Sequence, residues 1–287
     1  SRWRRGPRAR AESFQIRRRY AIRAADGLLA RSCFEAVSSR VNHRDGPHEL
    51  WVSPSSSWSR VLDADFFLTI AELAVDFRKD GVVGFDLAGE EGGYPPKKHL
   101  EAFQFIQRSN FNITIHAGEA FGKESIWQAI QWCGAHRIGH ATRLVEDIVF
   151  DDNGEVVSFG ELAQYILDKR IPLEICLLSN LHTGAVDKLE NHPFGILFKE
   201  KFRLTINTDD RLMSDTDMTK EFLTAIKYFK LSFDEIEKIT INSMKSAFIP
   251  YKERLRYIYE IINTVSQKIG RQLNKKNIKL RKILSRQ

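Results

Sequence analysis

"ITIHAGEA", residues 113–120, sets three β-branched residues side by side and then changes character. Ile113, Thr114 and Ile115 suit a pleated strand that is covered on both faces. His116 comes next, and Glu119 follows three positions later across an Ala-Gly step. A histidine and a carboxylate at the mouth of a buried strand ask for a chemical explanation. The flanking sequence shows what kind of strand this is.

The pattern recurs on either side. "VVGFDLAG" (82–89) precedes the helical run "KKHLEAFQFIQRSN", and "ITIHAG" precedes "KESIWQAIQWC". "RIGHA" (137–141) is followed, after a loop and "DDNGE", by "SFGELAQYILDKR". "PLEICLLS" (172–179) precedes "FGILFKEK", and "RLTINTDD" (203–210) precedes "MTKEFLTAIKYF". Short apolar runs alternating with segments of three- and four-residue apolar spacing are βα units, and their repetition predicts a parallel sheet with helices outside. Gly89, His116, Glu119, His140, Asp209 and Asp210 all fall at or just past strand C-terminal ends, where parallel βα folds place their active sites. One such residue is ordinarily a satisfied histidine or a helix cap. Six on one rim point to a site.

The chemistry of the set is that of a metal-assisted hydrolase. Neutral imidazole and carboxylate are both good Zn²⁺ ligands, and His116 and Asp209 supply one of each. Glu119 stands where a general acid is needed, and His140 can orient or deprotonate a water.

"TIHAGE", "RIGHAT" and "TINTDD", in this order and spacing, resemble the signature segments of the adenosine deaminase family. "FDLAGEEGGYPP", "LSNLHTGAV", "NHPFGILF", "RLMSDTDMTKEF" and "INSMKSAF" extend the resemblance, which is closest to bacterial members and runs from about residue 65 to 262. It implies an α/β fold, the (β/α)8 TIM barrel. Five of the eight strands, 4–8, are recognisable here, and strands 1–3 are lost or divergent. It also implies one catalytic Zn²⁺, with His116 and Asp209 as ligands, Glu119 as proton donor to purine N1 and His140 assisting the attacking water. Asp210 would meet purine N7 and the Gly89 amide purine N3. The implied reaction is hydrolytic deamination of adenosine or deoxyadenosine to inosine and ammonia, a purine-salvage step.

One departure stands beside the match. Members of the family carry a His-x-His pair at the end of the first strand. The eight histidines here (43, 48, 99, 116, 136, 140, 182 and 192) contain no such pair. His43 and His48 in "NHRDGPH" are poor substitutes, being five residues apart across Gly-Pro. The expected consequence is zinc held weakly and activity reduced. Two alternatives follow: a catalytically impaired remnant, or a related adenine or aminopurine deaminase.

Composition divides the chain further. Residues 1–60 hold thirteen arginines, no lysine and a net charge of +8; residues 265–287 carry another +8 with no acid. The whole chain is +7, so the stretch between is −9. The organisation read from this is an Arg- and Ser-rich divergent segment over 1–64, a barrel portion over 65–264 and a basic tail over 265–287. The opening segment resembles a degraded or out-of-frame region, with a divergent arm as the alternative. An acidic core repels phosphate backbones, so a nucleic-acid partner is not expected; the partner is a small purine nucleoside. Three scattered cysteines, no apolar run of membrane length and no secretory leader predict a reduced, cytoplasmic protein without a membrane partner.

Overall fold

The structure, a computed structural model, describes residues 50–52 and 63–272. Its centre is a parallel sheet of β1 (Leu50–Val52), β2 (Val82–Leu87), β3 (Asn112–Ala117), β4 (Arg137–His140), β7 (Leu173–Ile175) and β8 (Leu204–Ile206), neighbours in that order. The expected five strands are all present and in sequence order. A sixth, β1, lies within the Arg- and Ser-rich segment and pairs with β2. Three apolar residues are too few to show a period, so the sequence hid it. Residues 1–49, His43 and His48 among them, and residues 53–62 lie outside the described residues, as do residues 273–287 of the basic tail.

Helices cover the sheet. They are α1 (Ala64–Asp76), α2 (Leu100–Arg108), α3 (Lys123–Gln131), α4 (Glu161–Lys169), α5 (Leu177–His182), α6 (Phe194–Lys199), α7 (Met218–Phe229), α8 (Phe233–Ser246) and α9 (Tyr251–Arg256). After α9 the chain makes a π-helical turn at Tyr257–Ile262 and continues helical to 272. α1 buries Phe67, Ile70, Ala71 and Ala74, one face at 3.6-residue spacing. Phe67 meets Phe85 of β2 edge to face at 5.1 Å, and Phe103 of α2 closes the cluster. β3 and β4 are buried almost throughout, as sheet interiors covered on both sides must be.

Two segments differ from expectation. "PLEICLLS" is not one strand: β7 stops at Ile175 and α5 begins at Leu177. A short continuous apolar run does not distinguish a buried strand from a buried helical turn, and here it contains both. The loop after β4 is a 3₁₀ segment, Thr142–Asp147, followed by an antiparallel hairpin of β5 (Ile148–Phe150) and β6 (Val156–Phe159), with "DDNGE" as its turn.

Asp147 ties that hairpin to the helices. The N-cap of α4 is Gly160, which has no side chain to offer. Asp147 substitutes for it: Oδ2 accepts from the Ala163 amide at 2.9 Å and Oδ1 from Lys123 Nζ at 2.6 Å. A Cβ on Gly160 would lie 2.4 Å from the Asp147 carboxylate carbons and oxygens, so only glycine lets the acid approach.

Burial pushes the Asp147 carboxyl up, but Lys123 and the Ala163 amide outweigh it and hold it below the usual value. A carboxyl depressed in the folded state stabilises above its unfolded pKa, near 3.9, and loses that contribution as pH falls through the lower folded value. Lys123 is too exposed to add much. Asp147→Ala is therefore expected to cost about 1–2 kcal/mol at pH 7, the worth of a helix cap. The difference from the parent chain should shrink to nothing in strongly acidic solution, as read by denaturant unfolding across pH.

Candidate active site

The rim formed by the C-terminal ends of β2, β3, β4, β7 and β8 gathers His116, Glu119, His140 and Asp209. In β3 the side chains alternate, and His116 leaves the strand on the rim side. Its Nδ1 lies 3.1 Å from Oδ1 of Asp86 on β2, and its Nε2 lies 3.8 Å from Oδ1 of Asp209. β4 places Gly139 beside His116. A Cβ at Gly139 would stand 3.2 Å from the His116 Cα and 3.3 Å from its ring, so the glycine in "RIGHAT" is what lets the imidazole lie flat against the neighbouring strand.

Glu119 is positioned by a residue the sequence did not single out. Glu91, in the loop after β2, is buried, with 6% exposure. Its carboxylate accepts four consecutive amides: Gly118 at 2.6 Å, Glu119 at 3.0 Å, Ala120 at 2.8 Å and Phe121 at 3.0 Å. Gly118 adopts φ 71°, which bends the chain so that these amides converge. The Glu119 carboxylate then turns toward α5. Its Oε1 accepts from Thr183 at 2.9 Å and from Asn180 at 3.4 Å, and its Oε2 is 3.6 Å from His140 Nε2.

His140 is buried and its proton is fixed by a chain of hydrogen bonds. The Phe194 amide donates to His192 Nδ1 at 3.0 Å. His192 Nε2 therefore carries the hydrogen and donates to Asn180 Oδ1 at 3.1 Å. The Asn180 amide nitrogen in turn donates to His140 Nδ1 at 2.8 Å. That leaves the hydrogen of neutral His140 on Nε2, facing Glu119 and Asp209, the latter at 4.0 Å. Burial lowers the pKa of His140, and of His192 to about 3, so both imidazoles stay neutral as the chain requires.

Asp209 completes the group. Its Oδ2 accepts from Ser179 at 2.7 Å. Burial pushes its pKa up, but His116 beside it, with His140 and the Ser179 hydroxyl, pulls it well below the usual value. His116 responds in kind: burial lowers its pKa, and Asp86 and Asp209 more than reverse this, raising it well above 6.5. Ligand atoms of His116, His140 and Asp209 all lie within 4.8 Å of one another. The imidazole of His116 and the carboxylate of Asp209 suit a divalent cation such as zinc, and the hydrogen on His140 Nε2 faces the same point.

His140 and Asp209 share a second feature. Both sit in left-handed backbone, at φ 65° and 53°. Arg170 and Lys230 do so too, but they cap helix ends, where this is common. Strain of about 1–3 kcal/mol per residue away from such ends is the kind held at functional sites. Gly89, at φ 104°, and Asp210 stand in the loops of the same rim, after β2 and β8.

The residues that the sequence reading missed are Asp86, Glu91, Ser179, Asn180, Thr183 and His192. Asp86 had a signal, being one acid inside the apolar run "VVGFDL". Those on "LSNLHT" and "NHP" were within noticed segments, but only the folded chain shows what they touch.

A family model described as adenosine deaminase matches residues 33–264. The match begins well upstream of residue 65, where the legible motifs start. The chain is 48% identical over 241 residues to "Adenosine deaminase 1" of Streptomyces coelicolor, covering 82% of this chain and 60% of that protein. It is 53% identical over 193 residues to an adenosine deaminase of Mycobacterium marinum, covering 67% of this chain and 53% of the relative. The chain thus spans little more than half the length of these curated relatives. Among solved structures, an N6-methyl-AMP deaminase from Arabidopsis thaliana superposes with a TM-score of 0.64 at 26% identity, covering 77% of this chain and 59% of that one.

Glu91→Ala would leave four converging amides without an acceptor. Unsatisfied buried donors cost about 1–3 kcal/mol each, partly relieved by water. A loss of about 3 kcal/mol or more is expected, seen as a fall in melting temperature of roughly 6–12 °C. Glu91→Gln, which keeps one accepting oxygen, should lose less; equal losses would show that the loop does not depend on the carboxylate.

Proposed function

The chain belongs to the adenosine deaminase family, and from that premise we propose that its rim residues carry out the hydrolytic deamination of a 6-aminopurine nucleoside, adenosine or deoxyadenosine. The observation that supports this most is the placement of Glu119. Its carboxylate is held by Thr183 and Asn180, within 3.6 Å of His140, beside the group of His116, His140 and Asp209.

His116 and Asp209 are the residues that would hold zinc. Zinc, when bound, supplies the Lewis acidity that brings the pKa of water down to about 7. The rest is done by side chains. Glu119 donates a proton to N1 of the purine, which draws electrons from C6 and opens it to attack. His140, with its hydrogen on Nε2, donates to the attacking oxygen and fixes its approach. Asp209, kept ionised by its neighbours, accepts a hydrogen bond from the attacking water and orients it; the proton that the water loses on attack leaves with the amino group as ammonia. Addition of water at C6 and departure of ammonia give inosine. Asp210 and the Gly89 amide are proposed to hold N7 and N3, which fixes the face of the ring presented to the rim. The substrate is an uncharged small molecule, and no helix among the described residues is long and apolar enough to cross a membrane.

A catalytic zinc site ordinarily has three protein ligands and an open position. Among the described residues His116 and Asp209 are two, and the relay through Asn180 turns a hydrogen, not a lone pair, of His140 toward them. The chain is therefore expected to lose most of its zinc on dialysis, read by metal analysis, and to turn over adenosine far more slowly than a family member that carries the His-x-His pair. Stoichiometric zinc with turnover of tens per second, within the ordinary enzyme range, would overturn this. Adenine and AMP assayed beside adenosine show whether the aminopurine alone is recognised.

Whatever activity is measured, Glu119→Gln is expected to reduce it by about 10²–10⁴-fold, the worth of a general acid. Its zinc content should match that of the parent. Loss of metal in this variant would reassign Glu119 as a ligand.

A further inference from the structure

At the opposite end of the sheet, where the strands begin, lies a cleft of about 880 Å³. Among the described residues it is lined by five arginines and two lysines and by no aspartate or glutamate. This is unexpected in a body whose residues 61–264 carry a net −9. Acids are plentiful nearby in sequence, yet none among the described residues lines this space.

Three of the arginines form its charged wall. Arg170 precedes β7 and Arg203 precedes β8, strands that are paired in register from Leu173 and Leu204 onward. Arg254 comes from α9. None of the three makes an ion pair with another described residue; Arg170 donates to the Lys201 carbonyl and Arg254 to the Lys245 carbonyl. The Nε atoms of Arg203 and Arg254 are buried with no acceptor among the described residues. Burial lowers the pKa of Arg203, and the charges of Arg170 and Arg254 lower it further. Like charges gathered and partly desolvated without a counter-ion are costly. Arg137 shows what a structural arginine looks like here. It is paired with Glu174 at 2.9 Å, donates to the Ser246 carbonyl at 2.8 Å and stacks on Phe248 at 3.8 Å.

We propose that this cleft binds a small polyanion bearing two or more linked phosphoryl groups, with Arg170, Arg203, Arg254 and Lys245 as its counter-charges. Guanidinium groups match phosphoryl oxygens in pairs, and these arginines have no carboxylate partner among the described residues to compete for that role. The cleft volume lies in the range for small ligands, roughly 300–1,000 Å³, and its concave form favours a compact anion over an extended nucleic acid. Two sources share this chemistry, inorganic pyrophosphate and the phosphate chain of a nucleoside triphosphate. The site does not depend on the deaminase reading, since it lies at the other end of the sheet and uses none of the rim residues.

The test is calorimetric titration of the full chain with pyrophosphate and with ATP at about 0.1 M salt, where long-range attraction to the basic termini is screened beyond about 10 Å. One molecule is expected per chain, with a dissociation constant below about 1 mM. ATP at least tenfold tighter than pyrophosphate would assign a nucleoside polyphosphate; equal affinities would assign the phosphate chain alone. The double variant Arg203→Gln/Arg254→Gln should weaken binding at least tenfold, since each charge-assisted contact is worth about 1.5–3 kcal/mol. Lys245 is exposed, so Lys245→Gln leaves the fold intact; it should weaken binding about two- to fivefold and decides the matter if the double variant does not fold. Two results would overturn the proposal. One is no binding of either anion at millimolar concentration. The other is binding unchanged in every folded variant, which would place the anions on the basic ends of the chain.

Discussion

Four backbone amides in succession donate to one buried carboxylate, that of Glu91. An α-helix satisfies such amides with its own carbonyls; a tight loop cannot, and buried amides without acceptors are costly. Glu91 supplies the missing acceptor, and the loop after β3 takes its shape from it. That shape decides where Glu119 points. It also fixes Gly118, whose carbonyl accepts from the Thr142 hydroxyl and the Arg143 amide and so ties the loop to the segment following β4. Glu91 thus determines whether the Glu119 carboxylate stands beside the His–Asp group.

The second determinant runs through α5. From one short helix, Ser179 holds Asp209, Asn180 orients His140 and Thr183 holds Glu119. Each bond fixes a donor or acceptor role, not merely a position. Asn180 has its oxygen committed to His192 and its nitrogen to His140, so the tautomer of His140 is set from a backbone amide two residues beyond His192. α5 is itself anchored by a buried acid. Glu221 of α7 accepts from the Leu178 amide and the Thr216 hydroxyl, and burial raises its pKa. Polar contacts therefore lie in successive layers behind the rim, with Ser179, Asn180, His192 and Glu221 buried among them.

Charge is divided between the two ends of the sheet. Carboxylates collect where the strands finish and guanidinium groups where they begin. Asp86, Glu91, Glu119 and Asp209 at the rim are offset by imidazoles and by amide dipoles. At the other end, Arg137 is balanced by Glu174, which also accepts from Thr114 and so joins β3, β4 and β7 inside the sheet. Arg203 has no such balance among the described residues, and that contrast between two arginines at equivalent strand starts is what marks the cleft.

Much of this was legible without coordinates. The βα repeat, the parallel sheet, the rim and the residues His116, Glu119, His140 and Asp209 all follow from local pattern, because strand burial and strand ends leave their mark on adjacent residues. What the sequence could not show is of another kind. β1 is three residues long and has no period to read. "PLEICLLS" is mostly apolar and shows no turn residue inside it, so its change from strand to helix at Cys176 is invisible until neighbours are in place. Glu91 is one acid of two in "GEEGG", and nothing local separates it from Glu90, which is exposed. The 3.8 Å between His116 and Asp209 joins residues 93 apart in the chain. Sequence determines what each segment can be, since backbone preference and burial are local properties. Which polar atoms meet is decided only when the sheet closes its order, because hydrogen bonds and charges act over a few ångströms and the chain brings those atoms together from far apart.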